Sequence, residues 1–353
     1  MSDTQRIVVG LSGGVDSAAA AWLLVEAGHE VAGVFIRRDG SSDVSEHEHA
    51  ARRVAQFLEV PFHAVDASGD FETLIGYFCS EYLRGRTPNP CVLCNAQIKF
   101  KRLLERADAL GFDRVSTGHY VRSTFAGGRW CLRRGVDATK DQSYYLSALS
   151  QTHLARAVFP LGDRTKEDVR ALAREAGLPA AERDESQDVC FVPGGDYARL
   201  VRAREGDRVR AGEIVTTAGE VVGRHDGIIG FTIGQRRGVG VAMGEPVYVV
   251  DVDAETNRVT VGTEKELLSD GFVCNSVNWV SIPAPAAPMT CEVQVRYRST
   301  PVPATLTVAG RFSVNVTFDV PQRAVTPGQR AVFYRGELVL GGGWITREVA
   351  SAN

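Results

Sequence analysis

An apolar run, a short glycine-containing loop and a second apolar run follow one another near the start of the chain, and this order restricts the fold strongly. Residues 6–24 read RIVVGLSGGVDSAAAAWLL, with SGGVDS at 12–17 between a strand-like and a helix-like segment. Glycines let backbone N–H groups approach an anion closely, and a helix N-terminus adds a favourable field. The loop lacks the lysine of the Walker A pattern GxxxxGK[ST]. We therefore predict a phosphate-binding loop of another kind, in preference to a simple capped turn.

The first half of the chain alternates between strand-like and helix-like segments. Their predicted bounds are 7–9, 30–36, 61–65 and 114–117 for strands, and 16–27, 47–58, 71–83, 96–110 and 166–177 for helices. This alternation predicts an α/β domain built on a parallel sheet with helices on both faces. Ligands of such sheets bind beyond the carboxyl ends of the strands, where the SGGVDS loop is expected to lie.

The sequence changes character after about residue 200. Short β-branched runs separated by turn residues replace the helical periods, for example EPVYVVDVD, CEVQVRYR and SVNVTFDV. The proline- and alanine-rich run SIPAPAAP at 281–288 is typical of a bend or linker. We predict three domains, which are a catalytic α/β domain at 1–199, a small central β module at 200–264 and a C-terminal β-barrel at 265–353.

Composition and charge narrow the class of protein. The net charge of −3 gives no global attraction to nucleic acid, so phosphate contacts would need a local basic face. The N-terminal residues lack a signal-peptide pattern, and no run of eighteen apolar residues occurs. We therefore expect a cytoplasmic protein without a membrane span. The seven cysteines are an odd number in a long chain, which argues against a disulfide framework.

Three cysteines stand in contexts that suggest chemistry. Cys91 and Cys94 form a CxxC in GRTPNPCVLCNAQIKFKRLLE (85–105), and Cys190 lies in ERDESQDVCFVPGGDY (182–197). A lone CxxC is typical of a redox dithiol, of half a metal site, or of chance. A thiol at the start of a helix and near Lys99 should have a lowered pKa, so we predict that Cys94 is nucleophilic. The other cysteines are predicted to be structural: Cys79, Cys131, Cys274 and Cys291.

Several motifs together resemble one family. SGGVDS is similar to the pyrophosphate-releasing loop (PP-loop) of adenylate-forming ATPases. Further motifs follow in the order and approximate spacing of one family within this class: TPNPCVLCN (87–95), STGHY (116–120), KDQSYYL (140–146), SQDVCF (186–191), FTIGQRRG (231–238), VRYR (295–298) and TPGQRAVFY (326–334). Over nearly the whole chain, and least at 37–49, the sequence resembles the tRNA-specific 2-thiouridylases.

The resemblance implies ATP-dependent 2-thiolation of the wobble uridine of tRNA anticodons. It implies that ATP, with Mg²⁺, adenylates the uracil C2 oxygen. It implies that a donor protein supplies persulfide or sulfide, that Cys190 carries a persulfide, and that Cys94 is the nucleophile, leaving a Cys94–Cys190 disulfide to be reduced. The residues implied to bind ATP are Gly10, Leu11, Ser12, Gly13, Gly14, Val15, Asp16, Ser17, Ile36 and Gly118. Those implied to bind tRNA are Asn89, Pro90, Cys91, His119, Lys140, Asp141, Gln142, Arg296, Tyr297 and Gln329.

Three alternatives stay open on the sequence. Many family members have Asp at the position of Cys91, and the three thiols of Cys91, Cys94 and Cys190 could instead hold a [4Fe–4S] cluster. A different PP-loop ligase or amidotransferase would use the same loop without needing the cysteines. A non-enzymatic nucleotide sensor would bind RNA without releasing AMP.

Overall fold

The computed structural model describes residues 4–41, 43–182 and 189–346. The first unit is built on a parallel sheet of strand order β3-β2-β1-β4-β7. Its strands are β1 (Arg6–Gly10), β2 (Glu30–Arg37), β3 (Phe62–Asp66), β4 (Arg114–Ser116) and β7 (Ala157–Val158). The α-helices of the chain are α1 (Val15–Glu26), α2 (Glu46–Phe57), α3 (Ser68–Leu83), α4 (Pro90–Leu93), α5 (Phe100–Leu110), α6 (Ser143–Leu146), α7 (Gln151–Arg156), α8 (Lys166–Glu175) and α9 (Tyr197–Glu205).

The central strand and the first helix explain why this unit folds as predicted. Ile7, Val8 and Val9 of β1 are fully buried, as expected of a parallel strand covered on both faces. The alanines of α1 are also fully buried, and their small side chains let the helix lie close to the sheet. The predicted parallel α/β domain is confirmed.

The C-terminal unit is a closed β-barrel. Six strands pair in the order β12-β15-β14-β13-β16-β17, and β17 pairs with β12 to close the ring. The strands are β12 (Leu268–Trp279), β13 (Met289–Gln294), β14 (Val302–Gly310), β15 (Ser313–Arg323), β16 (Arg330–Arg335) and β17 (Leu338–Thr346). The prediction of two β-rich modules ending in a small barrel is confirmed. Residues 295–298 form a bend and turn after β13, so the predicted strand through Arg296 and Arg298 was wrong.

A hairpin of the α/β unit joins the barrel sheet. Strands β5 (Val121–Ala126) and β6 (Arg129–Arg134) form it, and β6 pairs with β17 at Arg133–Leu338 and Leu132–Val339. The sequence reading did not predict this hairpin. It ties the two units together by backbone hydrogen bonds as well as by side-chain packing.

The central module is a four-stranded sheet of order β10-β11-β8-β9. Its strands are β8 (Gly212–Thr216), β9 (Val221–His225), β10 (Tyr248–Asp253) and β11 (Arg258–Gly262). Strand β11 runs parallel to β8, whereas the neighbouring pairs are antiparallel. Within the three described stretches of the chain, no helix has the length and apolar character needed to cross a bilayer.

Candidate active site

The loop between β1 and α1 leaves the start of the helix open to an anion. Gly13 has a φ of 81°, and Gly14 is the N-cap of α1 without any side-chain cap. The Ser17 hydroxyl is used inside the loop, because it donates to the Gly14 carbonyl (3.0 Å) and accepts from the Ser12 N–H (3.1 Å). Among the described residues no side chain caps the start of α1, so the first N–H groups of the helix fit a phosphate group.

Asp16, in the first turn of α1, has partners from distant parts of the chain. Its Oδ1 accepts from the Tyr120 hydroxyl at 2.7 Å and from the Lys166 Nζ at 2.6 Å. Lys166 is buried at the start of α8, so a cation from another helix stands next to a loop that has no lysine of its own. Gly118 packs on the same turn, since a Cβ there would lie 2.7 Å from the Ser17 N atom.

The other predicted ATP-binding residues line the carboxyl ends of β1 and β2. Leu11 and Val15 are buried in the core, so only their backbone atoms are available to a ligand. Gly10 faces Leu103, and a Cβ there would lie 3.2 Å from that side chain. Ile36 is half-buried near the end of β2 and packs against the apolar cluster that contains Cys94. The predicted nucleotide edge and the cysteine segment are therefore neighbours.

The cysteine segment consists of two short helical pieces. Pro90 and Cys91 lie in α4, whose N-cap is Asn89, and a π-helix (Cys94–Lys99) follows before α5. The predicted helix at 96–110 was thus correct in type, except that it begins as a π-helix. Such π segments are rare and occur frequently at functional sites. Cys94 is buried, whereas Cys91 is half-buried.

Burial controls the acidity of both thiols. Burial raises the pKa of Cys94 to about 11 and also raises the pKa of Cys91. The Lys99 ammonium acts in the opposite direction on both groups, but its effect is smaller than that of desolvation. The predicted lowering of the Cys94 pKa was therefore wrong, because removing the thiol from water raises its pKa by more than the Lys99 charge lowers it.

Cys190 is exposed and is held next to the end of β2. The Arg38 guanidinium donates from Nη1 to the Cys190 carbonyl at 2.8 Å. The adjacent Phe191 packs against the cluster that contains Cys94. Residues 186–188 of the predicted SQDVCF motif lie outside the described residues. Across the described parts of the chain, Cys91, Cys94 and Cys190 do not form a three-ligand metal group.

The side chains of two residues of the predicted tRNA-binding set, Asp141 and Gln142, form hydrogen bonds within the protein. The Asp141 carboxylate is buried and accepts from Arg134 Nη1 (2.7 Å) and from the Ser143 hydroxyl (2.9 Å). The Gln142 Oε1 accepts from the Tyr120 N–H at 3.0 Å. These side chains shape the segment that follows the hairpin β5–β6, so a contribution to RNA binding would be indirect unless they rearrange.

His119 and Lys140 flank the same segment. The His119 Nδ1 is 2.8 Å from the Thr117 hydroxyl, and its ring stacks on Phe100 at 6.5 Å. Burial lowers the pKa of His119 to about 3, so the imidazole is neutral at physiological pH. Lys140 is partly exposed at the turn before α6.

Three residues of the predicted tRNA-binding set belong to the C-terminal unit, and one of them contacts the chain just before the cysteine segment. Tyr297 packs against Tyr145 with ring centroids 4.2 Å apart. The Gln329 amide donates to the Thr87 carbonyl at 2.9 Å, two residues before Asn89. The Arg296 Nε is buried and has no hydrogen-bond partner within the described part of the chain.

Sequence reasoning missed the residues that act across long sequence distances. Lys166 and Arg38 reach the predicted site from outside its motifs, and Tyr120 ends the STGHY motif but was not predicted to be a site residue. Lys166 is the first residue of the helix predicted at 166–177, but nothing in the sequence indicates that it meets Asp16. Only the packing of α8 on α1 brings the two charges together.

Fold and site together define a parallel α/β ATPase-like domain that carries a cysteine pair and is extended by two β-rich modules, the second of which is a closed barrel. Three family descriptions match in succession: the tRNA methyl transferase HUP domain at 5–194, the tRNA methyl transferase PRC-barrel domain at 204–263 and the aminomethyltransferase β-barrel domain at 269–345. A tRNA-specific 2-thiouridylase MnmA of Geotalea uraniireducens is 46% identical, covering 98% of this chain and 96% of the relative. Proteins of the same name from Geobacter metallireducens and Chloroflexus aurantiacus are 48% and 47% identical, covering 97% and 98% of this chain and 96% and 99% of the relatives.

The chain belongs to the tRNA-specific 2-thiouridylase family. Among solved structures, the NMN synthetase from Francisella tularensis is similar with a TM-score of 0.36 and 17% identity, covering 58% of this chain and 78% of that one. The U34-tRNA thiolase NcsA from Methanococcus maripaludis, with its [4Fe–4S] cluster, also has a TM-score of 0.36, with 16% identity over 57% of this chain and 66% of that one. Similarities this low carry no conclusion about the present chain.

Proposed function

We propose that the protein replaces the C2 oxygen of the tRNA wobble uridine by sulfur and consumes ATP in doing so. One observation carries the proposal in a chain of this family. The phosphate-fitting loop at the end of β1 and the buried Cys94 lie at the same edge of the sheet, joined through Ile36. A nucleotide and an RNA base bound at this edge would therefore be neighbours.

The first step would activate the base. The uracil C2 oxygen attacks the α-phosphate of ATP, a P–O bond breaks, and pyrophosphate leaves while the base becomes an adenylate. The open N-terminus of α1 would hold the phosphates, with Gly118 and Ile36 next to the nucleoside. Mg²⁺ would lower the charge of the phosphates when bound. Asp16, the carboxylate of the loop, is already engaged by Lys166 and Tyr120, so ATP itself would supply most ligands of the ion.

The second step would deliver sulfur. A donor protein places a persulfide on Cys190, and the Cys94 thiolate attacks its inner sulfur. This forms a Cys94–Cys190 disulfide and releases hydrosulfide, which adds to C2 of the adenylated base. The C–O bond then breaks and AMP leaves, and a thiol reductant restores both cysteines. The exposed position of Cys190 suits access by a donor, and the buried position of Cys94 suits chemistry protected from water.

A cluster mechanism has less support from the described residues. Within those residues the three cysteines do not form a metal-ligand group. The proposed reaction therefore contains no step through a [4Fe–4S] cluster.

We also propose the domain bounds 1–199, 200–264 and 265–353. We further propose a cytoplasmic location, where both tRNA and ATP are present.

Nucleoside mass spectrometry tests the proposal directly. Unmodified tRNA transcripts would be incubated with the protein, Mg-ATP and a sulfide or persulfide source, next to the Cys94→Ala and Cys190→Ala variants. We expect ATP-dependent 2-thiouridine that both variants lose. Cys291→Ala is the matched control, because Cys291 lies in β13 of the barrel and should leave the yield unchanged. AMP release without 2-thiouridine would instead favour another ligase, and tRNA binding without AMP release would favour a sensor.

A further inference from the structure

The motif FTIGQRRG at 231–238 has no part in the mechanism above. It lies in the connection between β9 and β10, residues 226–247, all of which are described. One turn of 3-10 helix (Ile228–Gly230) is the regular structure in this connection. Connections longer than about 15 residues without much regular structure are uncommon in compact domains and are usually functional.

The loop is held in one conformation by its own glutamine and by the neighbouring strand. The Gln235 Oε1 accepts from the Thr232 N–H at 3.1 Å, and its Nε2 donates to the Arg237 carbonyl at 3.0 Å. Backbone hydrogen bonds of 2.8 and 2.9 Å join Gly234 and Gln235 to Val249 of β10. A loop fixed before binding loses little conformational entropy when a ligand arrives.

This rigid loop presents two exposed arginines. Within the described chain, the guanidinium groups of Arg236 and Arg237 have no hydrogen bond or ion pair. Other exposed arginines nearby are already paired, such as Arg258 with Glu213 at 3.0 Å and Arg323 with Glu264 at 2.8 Å. Two unpaired guanidinium groups form a local basic patch that suits phosphate oxygens, although the chain as a whole has a net charge of −3.

The loop stands next to the chain that leads into Asn89, Pro90 and Cys91, which the family resemblance implies to bind tRNA. The Thr232 hydroxyl is 3.5 Å from the Thr87 hydroxyl, and Thr87 lies two residues before Asn89. On its other side, a Cβ on Gly234 would lie 2.8 Å from the Cβ of Ala324 in the C-terminal unit. The arginine loop therefore lies where the three units of the protein meet, beside the chain that leads into the cysteine segment.

We propose that Arg236 and Arg237 form a phosphate-binding surface for the tRNA strand next to the target uridine. This inference rests on the proposed function, because it takes the RNA substrate as given. The central module then contributes a direct RNA contact to the reaction, in addition to supporting the α/β unit.

The salt dependence of tRNA binding tests this surface. The dissociation constant of an unmodified tRNA transcript would be measured between about 0.05 and 0.3 M salt for the wild type and for the Arg236→Gln/Arg237→Gln variant. Each lost phosphate contact lowers the slope of log K against log salt by about 1, so we expect a decrease of about 2. If affinity extrapolated to 1 M salt is unchanged, this equals a loss of about 100-fold at 0.1 M salt.

Two further variants separate charge from presentation. Arg236→Lys/Arg237→Lys keeps the charge and should retain most of the slope. Gln235→Ala removes no charge, so it should weaken binding through a looser loop while the slope stays that of the wild type. Arg258→Gln/Arg323→Gln is the matched control, since it removes the same formal charge from guanidinium groups that are already paired.

Each outcome decides a different point. A wild-type slope in Arg236→Gln/Arg237→Gln would overturn the inference, and so would an equal decrease in the control, which would indicate a general charge effect. In both cases 2-thiouridine formation by the wild type would leave the proposed function standing. A wild-type protein that neither binds tRNA nor forms 2-thiouridine would overturn the proposed function and this inference with it.

Discussion

Gly118 provides the sharpest test of the predicted nucleotide site. An added Cβ would lie 2.7 Å from both the Asp16 carbonyl carbon and the Ser17 N atom. These are backbone atoms of the first turn of α1 and cannot rotate away, so reaching an ordinary contact of 3.4 Å would need a displacement of about 0.7 Å. Such overpacking costs about 1–3 kcal/mol of folding free energy. A shift of this size at the phosphate site should lower kcat/KM for ATP about 10- to 100-fold.

The assay compares Gly118→Ala with Gly76→Ala by initial rates of AMP release at varied ATP and by urea unfolding. Gly76 lies in α3, where an added Cβ would have no described atom within 4 Å apart from its own helix backbone, and alanine there should stabilise the helix by about 0.5–1 kcal/mol. We expect the loss of kcat/KM only in Gly118→Ala. Unchanged ATP kinetics and stability in that variant would refute the assignment of this close packing to the nucleotide site.

Three further predictions concern buried charge, thiol acidity and the cysteine segment. Because the Cys94 pKa is raised to about 11, alkylation of Cys94 by iodoacetamide in the free protein should become about tenfold faster per pH unit from pH 7 to 10. Lys99→Met should slow this alkylation, because it removes the charge that lowers the pKa. An alkylation rate that levels off near pH 8 would contradict the raised pKa. Lys166→Met should lower the free energy of unfolding by about 1–3 kcal/mol, since the partly buried Asp16 carboxylate keeps the Tyr120 hydroxyl but loses its cation. The double variant Asp16→Asn/Lys166→Met should recover most of the loss in urea titrations. Gln329→Ala should speed hydrogen exchange at 87–89, and unaltered exchange there would show that the amide does not hold this loop.

Local patterns were sufficient for the elements that carry strong periodicity. The strand–loop–helix of residues 6–24 and the alternation after it lead directly to the parallel sheet, because buried apolar runs and helical periods are local properties of the sequence. The β-rich structure of the second half was also predicted correctly from local patterns, namely short β-branched runs separated by turn residues. The helix boundaries differ by a few residues, as with α2, which begins at Glu46.

Interactions between distant residues could not be read from the sequence. The pKa of Cys94 depends on how completely other segments exclude water from the thiol. The nearby Lys99 alone led to the opposite prediction, a lowered pKa. The pairing of Asp16 with Lys166 joins residues 150 positions apart. Asp141 illustrates the same limit, since only the folded structure reveals that its carboxylate is committed to Arg134 and Ser143.

The hairpin β5–β6 changes what counts as a separable part of this protein. Its strand β6 continues the sheet of the barrel through β17, although more than 200 residues lie between them in the sequence. Cutting the chain before the barrel would strip β6 of this partner and expose an unpaired strand edge, which is a common route to aggregation. Truncated or fused versions of the protein should therefore retain both the hairpin β5–β6 and strand β17 on one polypeptide. If the protein is expressed as two halves, both halves should be produced together.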